Sequence, residues 1–145
     1  MTTTYKPAGH STVTPYLVVA NAAAQVEFLK KAFGAREDEL LALPDGTVVH
    51  AQVWVHDCLV MIGQAGKEYP PMQAMLYVYV EDTDAAYQAC LAAGAASVSE
   101  PKDQYYGDRN AGVRDPNGNQ WWLGTHMEDV SPEEIGRHAA AQGRA

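Results

Sequence analysis

The sequence predicts an α+β fold. Two paired βαβββ modules form a curved mixed sheet around a concave cup, with the helices outside. Three observations predict this. First, VTPYLVVANAAAQVEFLKKAFGA (13–35) and QAMLYVYVEDTDAAYQACLAAGA (73–95) share one pattern of strand, break, helix and Gly-Ala. A shift of sixty positions sets Gly34 on Gly94 and Ala35 on Ala95. Second, each helix is followed by three β-rich runs separated by turn residues. Third, 145 residues suit a single domain. Half that length buries too little surface to stand alone, so the halves must pair. Module one spans about 12–65, a linker with two prolines about 66–73, and module two about 74–126, and a helical tail covers 131–145.

The elements follow in order. Tyr16–Ala20 is β-branched and apolar, which suits a strand. From about Ala22 to Phe33, Val26, Leu29 and Phe33 recur at helical spacing, with Asn21 as cap and Gly34 as stop. Strands follow at Asp38–Leu43, Thr47–Val55 and Cys58–Gln64, around the turns Pro44-Asp45-Gly46 and His56-Asp57. In the second half Leu76–Glu81 is the strand. Asp82 or Thr83 caps a helix that turns Tyr87, Cys90 and Leu91 inward and stops at Gly94. Ala96–Glu100, a loop at Pro101, Gly107–Arg114, the turn Asp115–Gly118 and Asn119–Thr125 complete it. Ser131-Pro132-Glu133-Glu134 is a helix-start signature.

Composition narrows the function classes. The formal net charge is -8 and the pI about 4.9, so phosphate backbones are repelled and nucleic acid is not an expected partner. No apolar run is long enough to span a membrane, and the N-terminus lacks the pattern of a secretory signal. Cys58 and Cys90 are too few for a disulfide scaffold, which makes the reducing cytoplasm the default compartment. Both sit in apolar surroundings, as buried small hydrophobes do, although a reactive thiol is the alternative. No nucleophile motif, phosphate loop or dinucleotide fingerprint is present.

Three segments carry a family resemblance: FLKKAFGA (Phe28–Ala35), VEDTDAAYQACLAAGA (Val80–Ala95) and DPNGNQWWL (Asp115–Leu123). With the paired modules they resemble the vicinal oxygen chelate superfamily of glyoxalase I, bleomycin resistance proteins and extradiol dioxygenases, over about residues 12–126. The run YYGDRNAGVRDPNGNQWWLGTH (Tyr105–His126) is similar to its PhnB-like subgroup. The resemblance implies homodimerisation. It also implies four metal-ligand positions facing the cup, and here they fall on Thr14 or Pro15, on Ala74 or Met75, on Trp122, and on Met61, Ile62 or Gln64. A catalytic divalent metal needs about three nitrogen, oxygen or thiolate donors plus an open position. The first three places offer no useful ligand for a hard or borderline cation, and the one remaining donor, Gln64, cannot hold a catalytic metal alone. The histidines His10, His50, His56, His126 and His138 have no metal-site spacing either. No cofactor is expected, and no metal residues are assigned.

Alternation along strands then lines the cup. Val49, Ala51, Val53 and Val55 should pack under the helices, which leaves His50, Gln52 and Trp54 on the open side. Likewise Leu76, Val78 and Val80 face the helices while Met75, Tyr77 and Tyr79 line the cup, and Gln120 shares a face with Trp122. The repeat puts Pro15, Leu17 and Val19 on the concave side of the first strand. An aromatic wall of Trp54, Tyr77, Tyr79 and Trp122 with sparse polar groups suits a small organic molecule. Packing against a dimer partner or within a closed core is the competing use of each ring. His50 is either a satisfied structural histidine or a ligand-contacting acid/base. The loop Asp103–Asn110 holds Gln104, Tyr105, Tyr106, Asp108 and Arg109. Arg109 is either a fork for a ligand carboxylate or phosphate, or an ion-pair partner of Asp108 or Asp115. Two functions compete: a metal-free module that sequesters or senses an organic molecule, and a lyase, isomerase or dioxygenase using a nonstandard metal site or His50.

Overall fold

The structure is a computed structural model that describes residues 3–143. Residues 144 and 145 of the expected tail therefore lie outside the described residues. The first module comprises β1 (Tyr16–Val19), α1 (Ala22–Phe33), β2 (Arg36–Ala42), β3 (Val48–Val55) and β4 (Cys58–Gln64). The second comprises β5 (Met75–Tyr79), α2 (Thr83–Ala92), β6 (Ala96–Asp103), β7 (Asp108–Arg114) and β8 (Gln120–His126), and α3 (Pro132–Ala141) follows. The βαβββ modules, the α+β class and the outer helices are as the sequence predicts. Hydrogen bonding divides the strands into two sheets of four, ordered β1-β4-β3-β2 and β5-β8-β7-β6. In each, the first and last strands of the module pair in parallel, and the remaining pairs are antiparallel.

Local chemistry sets the helix ends. The Asn21 side chain accepts a hydrogen bond from the Ala24 amide, and Asp82 does the same for Ala85, each satisfying one orphan donor of a first turn. Gly34 ends α1 in the left-handed region at φ 66°, where a Cβ is costly. Pro101 does not open a loop: β6 continues through it to Asp103, with register shifts between Ser97 and Lys102. β6 is an edge strand and Pro101 falls within its register shift, where it has no ladder partner, so the missing amide hydrogen is tolerated.

One apolar core serves both modules. It joins Leu17, Phe28, Leu29 and Ile62 of the first to Tyr87, Cys90, Trp121 and Leu123 of the second. The leucine, isoleucine and phenylalanine side chains among them each contribute about 1.5–3 kcal/mol when fully buried. α1 packs directly on α2. A polar staple reinforces this junction: Asp115, 4% exposed, accepts from Gln25 of α1 at 2.7 Å, from the Trp121 indole at 2.8 Å, and from the amides of Asn117 and Asn119. The Asp115–Gly118 turn is thus hairpin chemistry, as read from sequence, and also a tie between the halves.

The first strand corrects one expectation. Leu17 and Val19 are buried in the core beneath the helices, whereas Tyr16 points the other way and is exposed. The reason is one missing residue. Thirteen positions separate Asn21 from Gly34, but twelve separate Asp82 from Gly94. The glycines match at a shift of sixty, while the strands and helix caps match at sixty-one. A one-residue slip turns every side chain of a strand to the opposite face.

Candidate ligand-binding site

The candidate site lies on the sheet faces turned away from the helices. In the first module, β3 and β4 pair His50 with Gly63 and Gln52 with Met61 on that face, while Ala51, Val53 and Ile62 fill the core. Tyr16 lies over Gly63, where an added Cβ would sit 2.8 Å from the phenolic oxygen. Its hydroxyl is 3.5 Å from His50 Nδ1. The Trp54 indole donates to Asp38 at 3.3 Å, and the His10 ring meets it edge-on at 5.6 Å. The N-terminal segment that includes Tyr5 and His10 covers Gln52 and Met61 and leaves a cavity of about 470 Å³.

The second module builds a more connected face. Parallel pairing sets Tyr77 beside Trp122, and antiparallel pairing sets Asn110 beside Gly124 and Asp108 beside His126. Glycines make room for the rings: an added Cβ at Gly124 would clash with Tyr77, and one at Gly112 would lie 2.9 Å from Trp122. The Tyr77 hydroxyl donates to Asp108 Oδ2 at 2.7 Å. Asp108 Oδ1 lies 3.0 Å from His126 Nδ1, and His126 Nε2 lies 2.7 Å from Asp129. Gln104 donates to Asn110 Oδ1 at 3.0 Å, and Asn110 Nδ2 donates to the Tyr106 hydroxyl at 2.6 Å. The hydrogen bonds to Asp108 and Asp129 raise the His126 pKa and favour the imidazolium. Partial burial raises the Tyr77 phenol well above the usual range, with Asp108 adding to the effect, so it stays a hydrogen-bond donor.

The structure places the residues singled out from sequence in three regions. His50, Gln52 and Trp54 lie on the first sheet. Tyr77, Tyr79, Gln120 and Trp122 lie on the second, with the two tyrosine rings 5.2 Å apart and the Trp122 indole donating to Gln120 at 3.1 Å. Arg109 stands apart from both. Its guanidinium holds Asp84 of α2 through two bonds of 2.9 and 3.0 Å and Asp103 through one of 3.0 Å. Asp84 and Asp103, and neither Asp108 nor Asp115, are its ion-pair partners. Gln52 lines one depression with Met61, and Tyr77 and Trp122 line another with Asn110 and Tyr106. Sequence reasoning passed over Tyr16, Tyr106, Asn110 and His126 as wall residues. Of these only Asn110 carried a signal, its alternation with Gly112 on one face of a strand.

A profile of the Glyoxalase/Bleomycin resistance protein/Dioxygenase superfamily matches residues 9–123. The chain belongs to this superfamily. Uncharacterized protein Rv0887c of Mycobacterium tuberculosis is 34% identical over 142 residues, spanning 90% of this chain and 84% of that one. Among solved structures, TioX from Micromonospora sp. ML1 matches at TM-score 0.70 and 27% identity, over 81% of this chain and 99% of its own. TnmS3, an antibiotic binding protein from Streptomyces sp. CB03234, matches at TM-score 0.62 and 21% identity, over 81% and 100%. The second likeness speaks to the fold alone.

Metal-dependent members of the superfamily set a test for the donor positions. Trp122 and Met61 carry no nitrogen or oxygen lone pair suited to a divalent cation, and neither does Met75 or Ala74. Gln64 is occupied: its Oε1 accepts from the Ala22 amide at 2.9 Å, and its Nε2 donates to the Ala20 carbonyl. Among the described residues, no three His, Cys, Asp or Glu side chains converge as a metal set. The residues present do not fit the superfamily's metal.

Proposed function

We propose that the protein is a cytoplasmic, PhnB-like member of the superfamily that sequesters or senses a small organic molecule and uses no divalent metal. It acts as a homodimer, in which a second copy covers the open sheet faces and completes the cup. One observation carries this reading. Aromatic and thioether side chains are held in defined places on a face the chain leaves open: Tyr77 is 42% exposed, Tyr79 66% and Met75 69%. Contiguous apolar patches of this kind mark interaction or ligand surfaces. The glycines beneath Tyr77 and Trp122 fix the rings without filling the space above them. Association of the fold with ligand capture in TnmS3 agrees with this, and the free thiols Cys58 and Cys90 suit a reducing compartment.

Native mass spectrometry of protein purified without added ligand or metal tests the proposal. The expected result is a dimer mass carrying a co-purified organic compound and no stoichiometric metal, with tryptophan fluorescence quenched when that compound is added back. Stoichiometric iron, manganese, nickel or zinc, lost on His50→Ala, would overturn it in favour of the enzymatic reading. So would turnover of the captured compound.

A further inference from the structure

We infer that the depression on the second sheet is built for the anionic end of a planar aromatic ligand, an aryl carboxylate or phenolate. This rests on the ligand-binding reading above and names its chemical class. The depression encloses about 480 Å³, within the range of small-molecule sites. It is lined by aromatic rings: Tyr77 and Trp122 pack over Gly124 and Gly112, and Met75 lines it with them. Its polar rim is biased toward donors. The Tyr106 oxygen already accepts from Asn110, so its own proton is available to a ligand. The Asn110 carbonyl is taken by Gln104. Lys102 stands directly across from Asn110 on β6, lines the depression, and makes no ion pair among the described residues.

Charge makes the bias selective. The chain carries 18 Asp and Glu residues and a net charge of -8, yet among the described residues no carboxylate lines this depression. The nearest in the network, Asp108, is 7% exposed, and its two oxygens face the Tyr77 hydroxyl and His126. Lys102, the Tyr106 hydroxyl and an aromatic floor therefore line one depression, with Asp108 held behind the Tyr77 hydroxyl. A ring stacks on the floor while its oxygen accepts from Lys102 and Tyr106. A cation would be repelled by the Lys102 ammonium and would find there neutral acceptors, the Gln104 and Ser99 oxygens, and the aromatic faces, but no carboxylate among the described residues.

Isothermal titration of the full chain at pH 7.5 with 2-naphthoate, 2-naphthamide and 2-(aminomethyl)naphthalene tests this. These probes share one ring system and differ in charge. Naphthoate should bind about tenfold tighter than either of the others, the scale of one charge-assisted hydrogen bond. Lys102→Met and Lys102→Gln should both remove that preference while leaving naphthamide binding in place. Tyr106→Phe should weaken naphthoate several-fold. Lys31→Met, on the exposed side of α1, should change nothing. Equal binding of all three probes, or preference for the amine, would overturn the anionic assignment and leave the ligand-binding reading standing. So would a naphthoate preference that survives both Lys102 variants. Failure of all three to bind would overturn both.

Discussion

Tyr77 joins two roles in one side chain. Its ring forms part of the open wall, while its hydroxyl donates to Asp108 and receives a longer contact from Asn110. Tyr77→Phe keeps the ring and removes the donor that Asp108 uses. Urea denaturation should show a loss of about 1–2 kcal/mol, the cost of leaving a buried acceptor short of a partner. His126 should make stability depend on pH in a defined direction. Its folded pKa is raised by Asp108 and Asp129, so its contribution is fully present below the unfolded value near ~6.5 and is lost as pH rises through the folded value. Comparing wild type with His126→Gln at pH 5.5 and 8.5 checks this: the stability gap should narrow at the higher pH, and a constant gap would refute the assignment. Neither partner of this network was legible from sequence. Asp108 and His126 lie eighteen positions apart and become neighbours only through the β7–β8 register.

At the scale of elements, the tie between α1 and the β7–β8 hairpin is the exacting one. Asp115 receives four donors in a buried place, two from side chains and two from its own turn. Asp115→Ala strands these donors together. Thermal or urea unfolding should register a loss of about 2–4 kcal/mol, well above a typical surface substitution. The turn was readable from Asp-Pro-Asn-Gly. Its bond to Gln25, ninety positions away and fully buried, was not. Gln25 reads as a polar residue on a helix and gives no sign that its partner lies in the other module. The first strand teaches a related lesson. Its existence was plain from Tyr16-Leu17-Val18-Val19, but its facing depended on counting the repeat, and α2 is one residue short of α1 between cap and glycine. Tyr16 is thus the counterpart of Tyr77: each lies over a glycine, Gly63 and Gly124, sixty-one positions apart.

At the scale of the whole molecule, α1, α2 and the shared core occupy one side of the sheets; on the other side the N-terminal segment lies against the first sheet, and the Tyr77–Tyr79 face of the second stays exposed. In one chain the Gln52–Met61 and Tyr77–Trp122 surfaces line separate depressions. A homodimer would cover them, and its test is direct. Light scattering coupled to size exclusion should give twice the 15.7 kDa chain mass for wild type. The double variant Met75→Lys and Tyr79→Lys should give a folded monomer, because both positions are exposed and neither supports the core. A dimer that survives both lysines would place the contact elsewhere. Among the described residues no helix is long and apolar enough to cross a membrane.

The linear sequence by itself determined the modules, their helix caps and turns, and the aromatic identity of the open wall. Those properties rest on local periodicity and on residue chemistry that neighbours along the chain express. Tertiary structure alone decided which groups meet. It turned Arg109 onto Asp84 and Asp103, gathered Tyr106, Asn110 and Lys102 into one depression, and bound Gln25 to Asp115. Strand register and helix packing set those encounters, and both depend on contacts between residues far apart in the chain, which no local pattern records.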